Sequence, residues 1–351
     1  MSVSRSELAP GYSISRVIKG GWHLAGGHGA IDRRQAIADM ASFVRAGITT
    51  FDCADIYTGV EELIGAFRAA HPDLAAGVQV HTKYVPDLDQ LPRLVPADTE
   101  RVIDRSLARL GVERLDLVQF HWWDYEVPGF VEAARTLAAL QRKGKIRLVG
   151  VTNFDVPRLR MIVDAGVALA AHQLQYSLLD RRPRHGMVEF CARHGIGMLC
   201  FGTVAGGFLS ERWLGVPEPR EAFANRSLTK YKLIIEDFGG WALFQELLAT
   251  LDAIARRLGT DIASVASAVP LGWPGVNAVI VGATNASHLS RNASSSSLSL
   301  TAADRDALDA ILSRSAGPLG DCYALERDRT GRHGRIMKYN LSNVGTAGAA
   351  R

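Results

Sequence analysis

What most constrains this chain is a repeat: short β-rich runs alternate with amphipathic helical runs from about residue 15 to residue 293. Such alternation is the pattern of a parallel sheet built from βα units. The strand runs are RVIKGGW (16–22), TTFDCA (49–54), VQVHTKY (78–84), LDLVQFH (115–121), RLVGVTN (147–153), AHQLQYS (171–177), GMLCFG (197–202) and NAVIVGA (277–283). A count of eight favours a closed barrel. Several runs, LDLVQF and NAVIVG among them, are almost continuously apolar, as expected when one face meets the barrel interior and the other meets helices. Between them, Ile37, Met40, Ala41 and Val44 recur at helical spacing before Gly47, and Ile103, Leu107 and Leu110 end at Gly111. Phe244, Leu247, Leu248 and Leu251 form the strongest stripe, and Asp155 followed by Pro157 reads as a helix start. An open dinucleotide-binding sheet is disfavoured, because no G-x-G-x-x-G joins an early strand to its helix and no composition break separates two halves. The expected fold class is α/β, a (β/α)8 TIM barrel.

The 351 residues suit a single domain, with a core over about 16–315 and a C-terminal tail over 316–351. The segment from Thr203 to about Gly240 is too long for an ordinary connection and carries Gly206, Gly207, Pro217 and Pro219, so it reads as a long functional loop. ASSSSLSL (293–300) reads as a linker before a last helix, TAADRDALDAILSRS, and NVGTAGAAR as a frayed end. A net charge of +4, with basic residues scattered among acidic ones, gives nucleic-acid binding little electrostatic support. No segment has the apolar length of a signal peptide or a membrane span, which predicts a cytoplasmic protein without membrane partners. Cys53, Cys191, Cys200 and Cys322 lack metal-binding spacing and are expected to be reduced and unlinked.

In this fold the chemistry sits at the C-terminal ends of the strands. Four polar residues stand there: Asp52 at the end of the second run, Tyr57 just after it, Lys83 at the end of the third and His121 at the end of the fourth. Taken singly, Asp52 suits a helix cap, Tyr57 a core aromatic, Lys83 a surface charge and His121 a satisfied buried imidazole. Yet a lysine ending an apolar strand is costly unless paired, and Asp52 is placed on the neighbouring strand to pair with it. A free tyrosine has a pKa near 10, and a cation beside the phenol lowers it toward the range of proton transfer. Lys83 is the expected cation, and the four residues together form a coherent proton-transfer set.

The stretch GITTFDCADIYTGVEELIG, with tyrosine five residues after aspartate, resembles the signature of the aldo-keto reductases. HTK, DLVQFHW, VGVTNF and QLQYSLLDRRP resemble that family's successive strand motifs, over about Arg16 to Asn292. The resemblance implies a (β/α)8 barrel that binds NADPH without a Rossmann motif and reduces an aldehyde or ketone by hydride transfer. It implies Tyr57 as general acid, Asp52 and Lys83 in support, and His121 orienting the substrate and donating to its carbonyl oxygen. Trp22 and Trp122 are expected to join Tyr57 and His121 around a small-molecule carbonyl substrate, in an aromatic rim that also includes Trp123 and Trp213.

By the same resemblance, Asn153 and Gln173 hold the nicotinamide amide with Asp52 and Thr152 beside them, and Phe201 stacks on the ring. Gly202, Val204 and Gly206 lie on the loop around the pyrophosphate, and Gly21 and Trp22 face the cofactor. Where the family often has Lys and Arg for the 2′-phosphate, this sequence has Gly282 and His288. Ala283, Thr284, Arg291 and Asn292 complete the expected adenosine side, with Arg291 as the expected phosphate partner and His288, Arg226 or Lys230 as alternatives. NADH is therefore a possible cofactor beside NADPH. Two alternative functions fit the same residues: an NAD-linked sugar or alcohol dehydrogenase with Tyr57 as base, and a cofactor-binding regulatory subunit resembling potassium-channel β subunits. Thr58 is one residue more than the family pattern has between the tyrosine and the next helix.

Overall fold

The computed structural model describes residues 3–25, 31–221, 223 and 225–341. Two short strands come first, β1 (Arg5–Ala9) and β2 (Tyr12–Ser15), then the eight expected ones: β3 (Val17–Gly20), β4 (Thr50–Asp52), β5 (Gln79–Tyr84), β6 (Leu115–Phe120), β7 (Ile146–Thr152), β8 (Ala171–Gln175), β9 (Gly197–Phe201) and β10 (Val276–Gly282). Each of these eight pairs in parallel with its neighbours in sequence, and β10 closes on β3, so the sheet is a barrel without an edge. The register sets Gly20 opposite Asp52, Lys83 opposite Gln119, and Thr152 opposite Gln173, which brings the ends of non-adjacent runs to one rim.

The helices follow local chemistry. Asp155 accepts the amide of Arg158 at 2.9 Å and starts Val156–Asp164, while Gly111, at φ 65°, ends Pro96–Leu110 in the left-handed region that a side chain would disfavour. Phe244, Leu247, Leu248 and Leu251 are all fully buried on Gly240–Leu258. On Arg33–Arg45 the buried stripe is Ala36, Met40, Ala41 and Phe43, with Ile37 and Val44 at its margins.

Four features depart from the sequence expectations. The β1–β2 hairpin turns tightly between Ala9 and Tyr12, and puts Leu8, Tyr12 and Ile14 against Ile18, Leu117, Leu199 and Ala278, plugging the end of the barrel remote from the strand C-termini. The segment after Thr203 is not all loop: Arg226–Phe238 is helical, started by Asn225, whose side chain accepts the amide of Ser227 at 2.7 Å. The serine run is no linker, since Leu289–Ser294 is helical, a 3-10 turn follows, and Ser295 is buried. Finally, Ala302–Leu312 is not the last helix; the chain runs on and lays residues 316–341 across the C-terminal rim. The end read as frayed, 343–351, lies outside the described residues.

Charge ties that last segment down. Arg182, after β8, is buried with Asp180 at 2.7 Å and Glu326 at 2.9 Å. Burial alone would raise the Glu326 carboxyl, but Arg182 holds it down at about 2. Arg327 then donates to the backbone oxygens of Trp122, Trp123 and Asn153 and to the Tyr125 hydroxyl, spanning the ends of β6 and β7. The four cysteines are buried and unlinked, and among the described residues no helix is long and apolar enough to cross a membrane.

Removing the central cation leaves the two buried carboxylates, Asp180 and Glu326, without their counter-charge. Arg182→Met should therefore cost about 3–5 kcal/mol of unfolding free energy, read from urea denaturation. An unchanged midpoint would show that the cluster does not hold the C-terminal segment in place.

Candidate active site

The strand ends, the helix Arg226–Phe238 and the C-terminal segment enclose one cavity of about 280 Å³ at the rim. Asp52, Tyr57, Lys83 and His121 all line it. At its floor Lys83 Nζ donates to Asp52 Oδ2 at 2.7 Å and to the Cys53 carbonyl at 2.8 Å. The other Asp52 oxygen accepts the side-chain amides of Gln173 at 2.6 Å and Gln119 at 3.1 Å. Burial alone would lower the Lys83 ammonium, but Asp52 overrides it and holds the group above its ordinary value, so it stays charged.

Tyr57 sits in the turn between β4 and the helix Val60–Ala70, which Gly59 opens in the left-handed region (φ 76°). Thr58 is taken up in that turn, ahead of the helix. Lys83 Nζ lies 4.8 Å from the Tyr57 ring centroid, and the edge of Trp22 meets the ring at 5.1 Å. Burial pushes the phenol above its ordinary value, and Lys83 acts against that rise. The expected direction of the lysine's effect is thus present, but desolvation outweighs it.

His121 is held by the end of β7. Its Nδ1 lies 3.1 Å from the Thr152 backbone oxygen, which can only accept, so Nδ1 carries the proton. Burial, with Arg327 nearby, lowers the ring to about 3 and keeps it neutral. Nε2 is then a bare acceptor, and it is buried without a partner among the described residues.

The expected cofactor side is partly gathered. Trp22, Thr152, Asn153, Gln173, Phe201, Gly202, Val204, Gly206 and Gly282 line the cavity. A methyl group at Gly202 would lie 2.9 Å from the Tyr231 hydroxyl, and one at Gly206 would lie 2.8 Å from the same ring, so both positions need glycine for close approach. Gly21 does not face the cavity: its amide donates to the Asp52 carbonyl at 2.7 Å, and Gly20 and Trp22 line the wall instead. Ala283, Thr284, His288, Arg291 and Asn292 are not brought to the cavity, and Arg291 pairs with Asp261 at 3.0 Å on the surface side.

Two tryptophans change places with the expectation. Trp122 is fully buried outside the cavity, with its Nε1 donating to the carbonyls of Asp124 and Val127. Trp123 lines the cavity in its place, with its ring perpendicular to His121 at 4.3 Å. Trp213 packs with Phe208 and Trp241 in a separate core, because its loop folds onto the helix Gly240–Leu258.

Arg226 and Lys230 line the cavity one helical turn apart, and Tyr231 and Ser227 accompany them. Arg226 Nη1 is buried without a partner, and Lys230 makes no ion pair among the described residues, its ammonium lying 5.0 Å over the Phe201 ring. The sequence reading placed these two only as alternatives, although their spacing of four within a helical stripe was there to be read. Tyr323, Met337 and Lys338, from the C-terminal segment, were missed, since nothing local in the sequence marks a distant segment as crossing the rim.

A family model described as "Aldo/keto reductase family" matches residues 16–313. The chain is 28% identical over 302 residues to an L-glyceraldehyde 3-phosphate reductase of Escherichia coli O157:H7, covering 80% of this chain and 84% of that protein. It is 29% identical to a flagellar radial spoke protein 5 of Chlamydomonas reinhardtii over 61% of this chain, and spans only 47% of that protein's length. Among solved structures, the glycerol dehydrogenase AKR11B4 from Gluconobacter oxydans superposes with a TM-score of 0.73 at 25% identity, over 88% of this chain and 95% of that one.

Three buried imidazoles give a pH signature. His81, His121 and His172 are each lowered by burial to about 3, and His172 Nε2 accepts the Phe154 amide, which requires a lone pair. Their folded pKa values lie below the unfolded value near 6.5, so on acidification the unfolded chain takes up protons that the folded chain refuses. Stability is full above that pH and falls below it. Between pH 7.5 and 5.5 the loss should be about 1 kcal/mol for each histidine, measured by urea unfolding at the two pH values. Equal stability at both would mean that these rings protonate in the folded state.

Proposed function

The chain belongs to the aldo/keto reductase family, and from that premise we propose that it reduces an aldehyde or ketone to an alcohol at the rim cavity, with NADPH or NADH as hydride source and Tyr57 as general acid. The observation that carries this reading is the convergence of Tyr57 and His121 on a buried Lys83–Asp52 pair inside one cavity. Family membership and the reductase among its relatives make the protein an oxidoreductase acting on carbonyl groups.

The residues present fit a dinucleotide. Asn153 and Gln173 line the cavity with Phe201, and Arg226 Nη1 is a buried donor without a partner among the described residues. A bound nicotinamide cofactor supplies the hydride. As negative charge develops on the carbonyl oxygen, Tyr57 gives it the phenolic proton, and the charged Lys83 stabilises the phenolate left behind. Asp52 keeps Lys83 charged and fixed, and the two glutamine amides keep Asp52 from turning away. His121, neutral and on the wall of the same cavity, orients the carbonyl, and Tyr57 is the proton source. Arg226 is the group that takes a cofactor phosphate, with Arg291 and Asn292 on the adenosine side.

Tyr57→Phe removes the proton and keeps the ring. It should lower kcat for carbonyl reduction by at least about a hundredfold while cofactor affinity changes little, as read from NAD(P)H oxidation and a fluorescence titration. Turnover at the wild-type rate would remove Tyr57 from the mechanism.

Arg226→Ala should weaken NADPH by about ten- to a hundredfold, the scale of one charge-assisted phosphate contact. Loss confined to NADPH places the 2′-phosphate on Arg226, and equal loss for NADH places the diphosphate there. Unchanged dissociation constants for both cofactors would take Arg226 out of the site.

A further inference from the structure

Behind the cavity wall lies a buried amide, Gln119. The strand β6 sends Leu117 into the plug of the barrel and His121 into the cavity, and Gln119 stands between them, fully buried and off the cavity lining. A leucine would fill such a place without polar cost, whereas an amide there must find partners at both of its ends. Gln119 finds them. Its Nε2 donates to Asp52 Oδ1 at 3.1 Å, and its Oε1 accepts from Gln173 Nε2 at 3.1 Å. Gln173 Nε2 also donates to Asp52 Oδ1, at 2.6 Å, so the three side chains close a ring.

The ring can run in one sense only. Asp52, paired with Lys83, is a carboxylate and can only accept, so both glutamine nitrogens must face it. With its nitrogen on Asp52, Gln119 presents oxygen to Gln173. The Gln173 nitrogen carries two hydrogens, and Asp52 and Gln119 take one each. What Gln173 has left for the cavity it lines is its oxygen. Turning that amide over would set its oxygen against two acceptors, Asp52 Oδ1 and Gln119 Oε1. Without Gln119 one of those two oppositions is gone, and one Gln173 hydrogen is released toward the cavity.

We propose that Gln119 is a positioning residue for the cofactor: by taking the second hydrogen of Gln173 it holds that amide with its oxygen toward the cavity, so that the site demands a ligand group that donates there. The carboxamide of a nicotinamide supplies such a group in its NH2. The proposal rests on the cofactor reading above, since the nicotinamide is the ligand that Gln173 meets. Gln119 itself stands behind the wall and acts on the ligand only through Gln173.

The test uses the acetylpyridine analogue of the oxidised dinucleotide, which keeps the carbonyl of the carboxamide and carries a methyl in place of its NH2. Calorimetric titration gives the dissociation constants of parent and analogue, the parent being whichever of NADP+ and NAD+ the protein binds more tightly. The wild-type protein should hold the parent about tenfold more tightly, the cost of leaving a buried acceptor against a methyl group. Gln119→Leu frees the Gln173 amide to turn, and it should cut that ratio by about three- to tenfold, by weakening the parent more than the analogue. Gln119→Met, which keeps the length of the side chain, is read in the same way if the leucine variant does not fold. A merely structural role would weaken both dinucleotides alike. An unchanged ratio in the folded variant, failure of both variants to fold, or a wild-type ratio near one overturns the proposal and leaves carbonyl reduction standing. If the wild-type protein binds neither NADP+ nor NAD+, the proposed function fails, and the role of Gln119 falls with it.

Discussion

A lysine ammonium at the end of an apolar strand has two ways to exist: it loses its proton, or it finds a carboxylate that overrides desolvation. Lys83 takes the second course, and much of the rim is arranged so that it can. Asp52 must stand on the adjacent strand at the right height, which the parallel register of β4 and β5 provides. A carboxylate buried with one partner would still be under-satisfied, and Gln119 and Gln173 supply the missing donors from β6 and β8. The pair thus draws on four strands of the barrel, which makes closure of the sheet a condition for charge at the site as well as for its shape.

Most of this was legible in the sequence because it is carried by strands. A strand end is marked by where an apolar run stops, and a polar residue there has few explanations, so Asp52, Lys83 and His121 can be placed at the rim from the sequence alone. Trp122 and Trp123 show the limit of the same logic. Beyond the strand, period-two alternation no longer holds, and which of two consecutive tryptophans turns inward is decided by the carbonyls of Asp124 and Val127, which capture the first indole. Gly21 and Arg291 stand off the cavity wall for a related reason: each has a local partner, in the Asp52 carbonyl and in Asp261, that pattern matching does not weigh.

What the sequence did not disclose is the roof. The helix Arg226–Phe238 hid inside a stretch with glycines and prolines, and residues 316–341 carry no motif. The C-terminal segment is ordered by contacts distant in sequence, above all Arg182 with Glu326 and Arg327 with three backbone oxygens. Such contacts become visible only when the barrel has brought their partners together. Among the described residues, the three non-glycine residues with positive φ, Asn153, Ala205 and Tyr323, all lie at or beside this rim. Strain of that kind persists where surrounding structure over-determines the backbone, and here the surroundings are the roof and the strand ends it clasps.

The same clasp fixes the character of His121. Thr152 is the last residue of β7, and the chain turns into the left-handed region at Asn153 immediately after it. Arg327 binds the Asn153 carbonyl and lies near the imidazole, so one guanidinium both holds the turn whose neighbouring carbonyl takes the Nδ1 proton and adds a positive field that disfavours a second proton on the ring. Deep burial works in the same direction. A histidine so placed stays neutral near neutral pH. The mouth of the barrel therefore sets a charged pair, Lys83 with Asp52, beside a neutral imidazole, and it is the partner each group finds, a carboxylate for one and a backbone carbonyl for the other, that decides how each meets the same burial.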